Sequence, residues 1–181
     1  YTGATQVLGG TLLVNSSLPA GSAVAVGPGG TLGGTGMVLG PVAVADGGIV
    51  APGASGGVLT TGSLALAEAS ILAFELGGLV DDQLVVLGDL TLDGILNVTD
   101  LGGFGAGTYT LIRYDGGLTN NGLELGTMPT GLLYSIDTAT GGQVDLVVTA
   151  QPTGGEIPEP ASALLVLTGA AGLAARRRRR A

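Results

Sequence analysis

Gly9-Gly10-Thr11-Leu12 returns as Gly29-Gly30-Thr31-Leu32, then as Gly47-Gly48-Ile49-Val50 and Gly56-Gly57-Val58-Leu59. The first three copies open at Gly9, Gly29 and Gly47, close to an even spacing. A repeat of roughly 20 residues suits one coil of a β-solenoid, where each coil buries its apolar face on its neighbours. The glycine pairs supply the positive φ angles a strand needs to turn a corner.

Between these corners the side chains alternate, as in Ala23-Val24-Ala25-Val26, Pro41-Val42-Ala43-Val44 and Ser63-Leu64-Ala65-Leu66. A period of two argues for strands over helix. It predicts Val24, Val26, Val42, Val44, Leu64 and Leu66 inside and a smooth exterior of small residues. Pro28 and Pro52 stand beside glycines, where turns belong. From about Leu72 the strands lengthen and the spacing loosens, and Asp93-Gly94 between Leu92 and Ile95 is a hairpin signal. The expected organisation is therefore solenoid coils over residues 1–71 and a β-rich antiparallel cap over 72–150 that protects the last coil's open edge. Residues 151–156, with Pro and two Gly, read as a linker.

Composition narrows the chemistry. The chain has 181 residues, 36 of them Gly, and no Cys, His, Trp or Lys. Disulfides, thiol and imidazole catalysis, and zinc sites of His or Cys are thereby removed. Residues 1–156 carry a formal charge of −12 and residues 157–181 carry +4. So acidic a body repels phosphate backbones, which argues against a nucleic-acid partner. The chain opens Tyr1-Thr2-Gly3 without Met, so a fragment, or the C-terminal part of a longer protein, is expected.

Gly9-Gly10-Thr11-Leu12-Leu13-Val14-Asn15, Gly33-Gly34-Thr35-Gly36, Ala51-Pro52-Gly53-Ala54-Ser55 and Asp82-Gln83-Leu84-Val85-Val86, in this order, resemble the C-terminal region of bacterial autotransporter-associated β-strand repeat proteins. The resemblance covers roughly residues 1–150. It implies an all-β fold, a right-handed parallel β-helix, in a secreted or surface protein whose repeat has no enzymatic role.

The tail has three unlike parts. Pro158 and Pro160 hold Glu159 in an extended tripeptide, since each proline disfavours helix for the residue before it. Residues 161–175 carry no charge. As a single helix they would span about 22 Å, short of the roughly 30 Å hydrocarbon core. Arg176, Arg177, Arg178, Arg179 and Arg180 follow; they can snorkel and favour the cytoplasmic side. Together, residues 157–181 resemble the PEP-CTERM sorting signal: motif 157–160, transmembrane helix 161–175, arginine cluster 176–180. Ile157 stands where Val is common. The resemblance implies recognition by exosortase, a membrane-embedded processing enzyme, so that this chain is a substrate.

Weaker signals also occur in the body. Asp81-Asp82, Asp89 and Asp93 could approach a calcium ion with nearby carbonyls, and turn-forming aspartates explain them equally well. No spacing singles out a glycosidase pair among the carboxylates. Asn15-Ser16-Ser17 and Asn97-Val98-Thr99 match the glycosylation pattern, with Asn15 expected at a strand end and Asn97 on an outward face. Tyr109 and Tyr114 have opposite parity, so one core and one surface ring are expected.

The sequence thus predicts a non-catalytic exported structural protein with no cofactor and no metal. It would be anchored transiently in the membrane by its C-terminal helix, with the body outside the cytoplasm, and would reach the cell surface or medium after exosortase-like processing at Pro158-Glu159-Pro160. The alternative is an adhesin or matrix module that binds extracellular polysaccharide, although few aromatic rings are present to serve as sugar platforms.

Overall fold

A computed structural model describes residues 3–53 and 56–152. The chain divides into two units, Tyr1–Gln151 and Pro152–Ala181. Among the described residues no helix is long and apolar enough to cross a membrane. The helix expected at 161–175, the proline motif and the arginine cluster lie outside the described residues, as does most of the expected linker.

The first unit is all-β. Its first coil holds β1 (Thr5–Val7), β2 (Gly10–Leu13) and β3 (Ser17–Leu18). The second repeats this with β4 (Val24–Val26), β5 (Gly30–Gly34) and β6 (Met37–Val38). The third has β7 (Val42–Val44), β8 (Ile49–Pro52) and β9 (Val58–Thr61), and the fourth β10 (Leu64–Leu66), β11 (Ile71–Leu76) and β12 (Gln83–Val86). The fifth comprises β13 (Leu90–Leu92), β14 (Ile95–Asp100) and β15 (Gly107–Tyr114). After it come β16 (Leu118–Asn120), β17 (Glu124–Leu125), β18 (Leu132–Asp137) and β19 (Gln143–Ala150).

Every third strand pairs in parallel, giving a three-sided solenoid. Sheet A runs β1-β4-β7-β10-β13-β16, sheet B runs β2-β5-β8-β11-β14-β17, and sheet C runs β3-β6-β9-β12-β15 before closing with β19 and β18. Thr5, Val24, Val42, Leu64, Leu90 and Leu118 are successive partners in sheet A, and from Val42 onward each coil is longer than the one before it. The first three Gly-Gly-Thr/Ile-Leu/Val copies stack in sheet B, with Leu12 on Leu32 and Leu32 on Val50. The fourth copy begins β9 of sheet C, which explains its broken spacing.

The core is a set of aliphatic columns. Val24, Val26, Val42, Val44, Leu64 and Leu66 are all at most 4% exposed, as their alternation requires. In sheet B, Leu32, Val50, Leu72 and Leu96 form one column, each fully buried. Each coil covers the apolar ends of the one before, so burial is continuous along the stack.

Two expectations need correction. Parallel stacking continues across residue 71 through β17: β11 pairs in parallel with β14, β12 with β15, and β14 with β17. Antiparallel strand pairing is confined to β15, β19 and β18, beside one isolated antiparallel bridge between Gly34 and Gly53. Asp93-Gly94 is likewise no hairpin but the corner between sheet A and sheet B, where Gly94 takes φ 92° and the Asp93 carboxylate accepts its N–H at 2.8 Å. The chemistry that makes a tight hairpin also makes a tight solenoid corner, since both require positive φ with a local side-chain acceptor. The loosened spacing after Leu72 is the same coil with longer strands, not a change of fold.

The antiparallel pair does occupy the end of sheet C. β19 lies on β15 where the next parallel strand would pair, and a register shift between Thr110 and Ile112 accommodates it. That irregularity puts Leu111 and Ile112 both inside. It also upsets the parity expected of the tyrosines: Tyr114 is buried, while Tyr109 is half-buried, its ring 4.8 Å from that of Phe104.

Candidate functional site

Carboxylates and amides sit mainly where the coils turn. Asp81 accepts the Gly77 N–H at 2.6 Å, Asp89 that of Gly117 at 2.8 Å, and Asp46 that of Ala69 at 2.9 Å. Asp100 Oδ1 accepts three, from Gly102, Gly103 and Phe104, at 2.6, 3.2 and 3.1 Å. These bonds, Gly102 first, hold its carboxyl below the usual carboxylate range. These loop N–H groups are thereby given acceptors.

The four aspartates weighed for calcium lie at different corners. Asp81 and Asp82 precede β12, Asp89 precedes β13, and Asp93 follows it. Among the described residues no group of three or more His, Cys, Asp or Glu is placed to hold a metal ion. Turn formation accounts for Asp81, Asp89 and Asp93. The asparagines are also engaged: Asn15 Oδ1 accepts the Thr35 N–H at 3.3 Å and Asn97 Oδ1 that of Thr127 at 2.7 Å.

Asp82 is different. It is 1% exposed, and its Oδ2 accepts the Glu75 N–H at 2.8 Å, while its Oδ1 is buried without a hydrogen-bond partner. Burial pushes the carboxyl up from 3.8 to about 6. The Glu75 N–H opposes that rise and the Glu75 charge adds to it; the Gly57 amide lowers it further and the Asp81 charge raises it, both by less. Oδ1 occupies the space over Gly53, at φ 79°, where any side chain would collide with it. Its parity is legible in the sequence: Asp82, Leu84 and Val86 alternate with Gln83 and Val85, so Asp82 belongs to the inward set.

Asp82 borders a trough of about 290 Å³ on the outer face of sheet B. Leu13, Gly33 and Ala51 are stacked partners there, as are Ala73 and Asn97. Thr11, Thr31, Thr99, Gly53 and Glu75 complete the main walls. No basic residue lines it, so its polar groups are carboxylates, hydroxyls and one amide. Two carboxyls close enough to feel each other's charge stand at one side. Such a site can accept hydrogen bonds and stabilise positive charge; it has no imidazole or thiol for nucleophilic chemistry. Sequence reading misses it because its lining comes from successive coils, and only the stacking register brings them together.

No family model matches the chain. The chain is similar to the adhesin BmaC autotransporter of Brucella suis biovar 1 (strain 1330), with 48% identity over 116 residues. That match covers 59% of this chain and 3% of the relative's own length. The similarity supports an autotransporter-associated body.

Proposed function

We propose that the chain is a non-catalytic, surface-exposed, adhesin-like protein whose solenoid serves as a stalk. The observation that carries this reading is the coincidence of a stacked parallel solenoid with 48% identity to an autotransporter adhesin over 59% of the chain. A solenoid suits the role because each coil contacts only its neighbours, so length and side surface grow without a new core. The winding is taken as right-handed, the sense that twisted strands impose on parallel crossovers. Limited proteolysis of intact host cells tests display: loss of the body from whole cells supports it, and protection until lysis contradicts it.

The tail adds the route. Pro158-Glu159-Pro160 is the site of exosortase-like processing, residues 161–175 are the temporary membrane helix, and Arg176–Arg180 stay cytoplasmic, drawn by anionic lipid. Support comes from the order of three unlike features in the sequence. Intact-mass measurement of the mature protein from its host decides the matter. A product lacking Arg176–Arg180 supports processing, and one that retains them refutes it.

A further inference from the structure

We propose that Asn121 is a site of spontaneous deamidation, where the folded chain turns an amide into an acid and loosens its own last coil. Asn121 is the one asparagine in the sequence followed by glycine; Asn15, Asn97 and Asn120 precede Ser16, Val98 and Asn121. Glycine has no Cβ to shield its backbone nitrogen from the neighbouring side chain. Asparagine is already among the thermolabile residues, and an unshielded nitrogen next to it exposes that weakness.

The corner between β16 and β17 leaves this pair open. Asn121 and Gly122 are both exposed, and nothing lies within 4 Å of where a Gly122 Cβ would project. A hollow of about 280 Å³ beside them, lined by Glu68, Asp93, Leu123 and Glu124, admits water. The Gly122 N–H is held by a side chain, Asn120 Oδ1, at 3.1 Å. Asn15 and Asn97 are tied down through Oδ1 by the N–H groups of Thr35 and Thr127. Asn121 instead donates from Nδ2 to Asp93 Oδ2 at 3.3 Å.

In the reaction the Gly122 nitrogen gives up its proton and bonds the Asn121 Cγ, and the Cγ–Nδ2 bond breaks to release ammonia. Water then opens the cyclic imide. Cleavage of the new bond gives aspartate, and cleavage of the original peptide bond gives isoaspartate, whose main chain runs through the side chain. In aspartate an acceptor replaces the donor that faced Asp93, so a hydrogen bond becomes a like-charge contact. Glu68 and Glu124 share the hollow and add to the repulsion. In isoaspartate an extra methylene enters the main chain between two anchors, the Asn121 N–H on Leu92 O at 2.9 Å and the Glu124 N–H on Gly94 O at 2.8 Å. Either product loosens β16 from β13 and β17 from β14.

This inference stands apart from surface display and needs no partner. Peptide mapping by mass spectrometry tests it, after the folded full chain has aged in mildly alkaline heavy-oxygen water. Asn121 should lose its amide, take up heavy oxygen and yield isoaspartate beside aspartate, while Asn15, Asn97 and Asn120 keep their amides. The aged chain should exchange the amides of β16 and β17 faster than the fresh one. Asn121→Asp supplies the aspartate product directly. It should melt at a lower temperature than the native chain at neutral pH, and the gap should close in acid as the new carboxyl, Asp93, Glu68 and Glu124 protonate. Conversion of Asn121 in denaturant but not in the folded chain would overturn the proposal, as would equally fast conversion of Asn15 or Asn97. So would an Asn121→Asp chain that melts like the native one at neutral pH.

Discussion

The early coils and the late ones perform the same turn with different chemistry. Coils starting at Thr5 and Val24 are the short ones, and their corners are largely backbone: Gly10, Gly29 and Gly34 adopt positive φ. Coils starting at Leu64 and Leu90 are the long ones, and there Asp81, Asp82, Asp93 and Asp100 accept backbone N–H groups. A long coil makes excursions beyond its strands, and side-chain carboxylates accept several of the amides there. Acidity in the late coils is therefore mostly structural, with Asp82 as the exception that its burial makes unstable.

The largest expected effect tests whether the two regions form one cooperative unit. Leu72→Ala removes a fully buried side chain stacked between Val50 and Leu96, and should cost about 2–5 kcal/mol. Denaturant melting should remain a single transition; separate early-coil and late-coil transitions would divide the regions physically. Next, Gly34→Ala places a side chain against the Val14 backbone at φ 103° and should cost roughly 1–3 kcal/mol. An unchanged melting midpoint would show that backbone corners are not what holds the short coils.

Asp82→Asn probes the long coils from the opposite direction. With its folded value raised, Asp82 contributes stability that is complete below its unfolded value near 3.8 and is lost as pH rises through about 6. The variant should be more stable than the native chain by about 1–3 kcal/mol at pH 7 and equal to it at pH 4. Thermal melts at the two pH values check this, and an identical pH profile in both proteins would refute it. The smallest effect is local. Asp100→Ala should speed amide hydrogen exchange at Gly102, Gly103 and Phe104 without unfolding the coils. Native Asp100 has a lowered value, so its contribution is lost only as pH falls below the ordinary carboxylate range.

The early coils are readable in the sequence because the Gly-Gly corners recur and the strands of sheet A alternate. The inward residues named from that pattern, Val24 through Leu66, are buried. The late coils are legible in strand content but not in pairing, since Asp93-Gly94 marks a positive-φ corner without saying what the next strand stacks on. Tyr109 escapes because a register shift near Thr110 breaks alternation, and bulges leave no periodic trace. Asp82 is in view by parity, yet an aspartate following another aspartate reads as surface. The trough itself depends on register across coils, which a single chain's local pattern does not encode.

Disulfide trapping tests the continuous parallel stack most directly, because the native chain has no cysteine to interfere. Ala73 and Asn97 are partners on neighbouring coils, and parallel neighbours lie about 4.8 Å apart, within disulfide reach. Ala73→Cys combined with Asn97→Cys should therefore oxidise readily to an internal cross-link. Thr91→Cys with Leu96→Cys, which would face each other across a hairpin at Asp93-Gly94, should stay reduced. Closure of the second pair and not the first would contradict the solenoid.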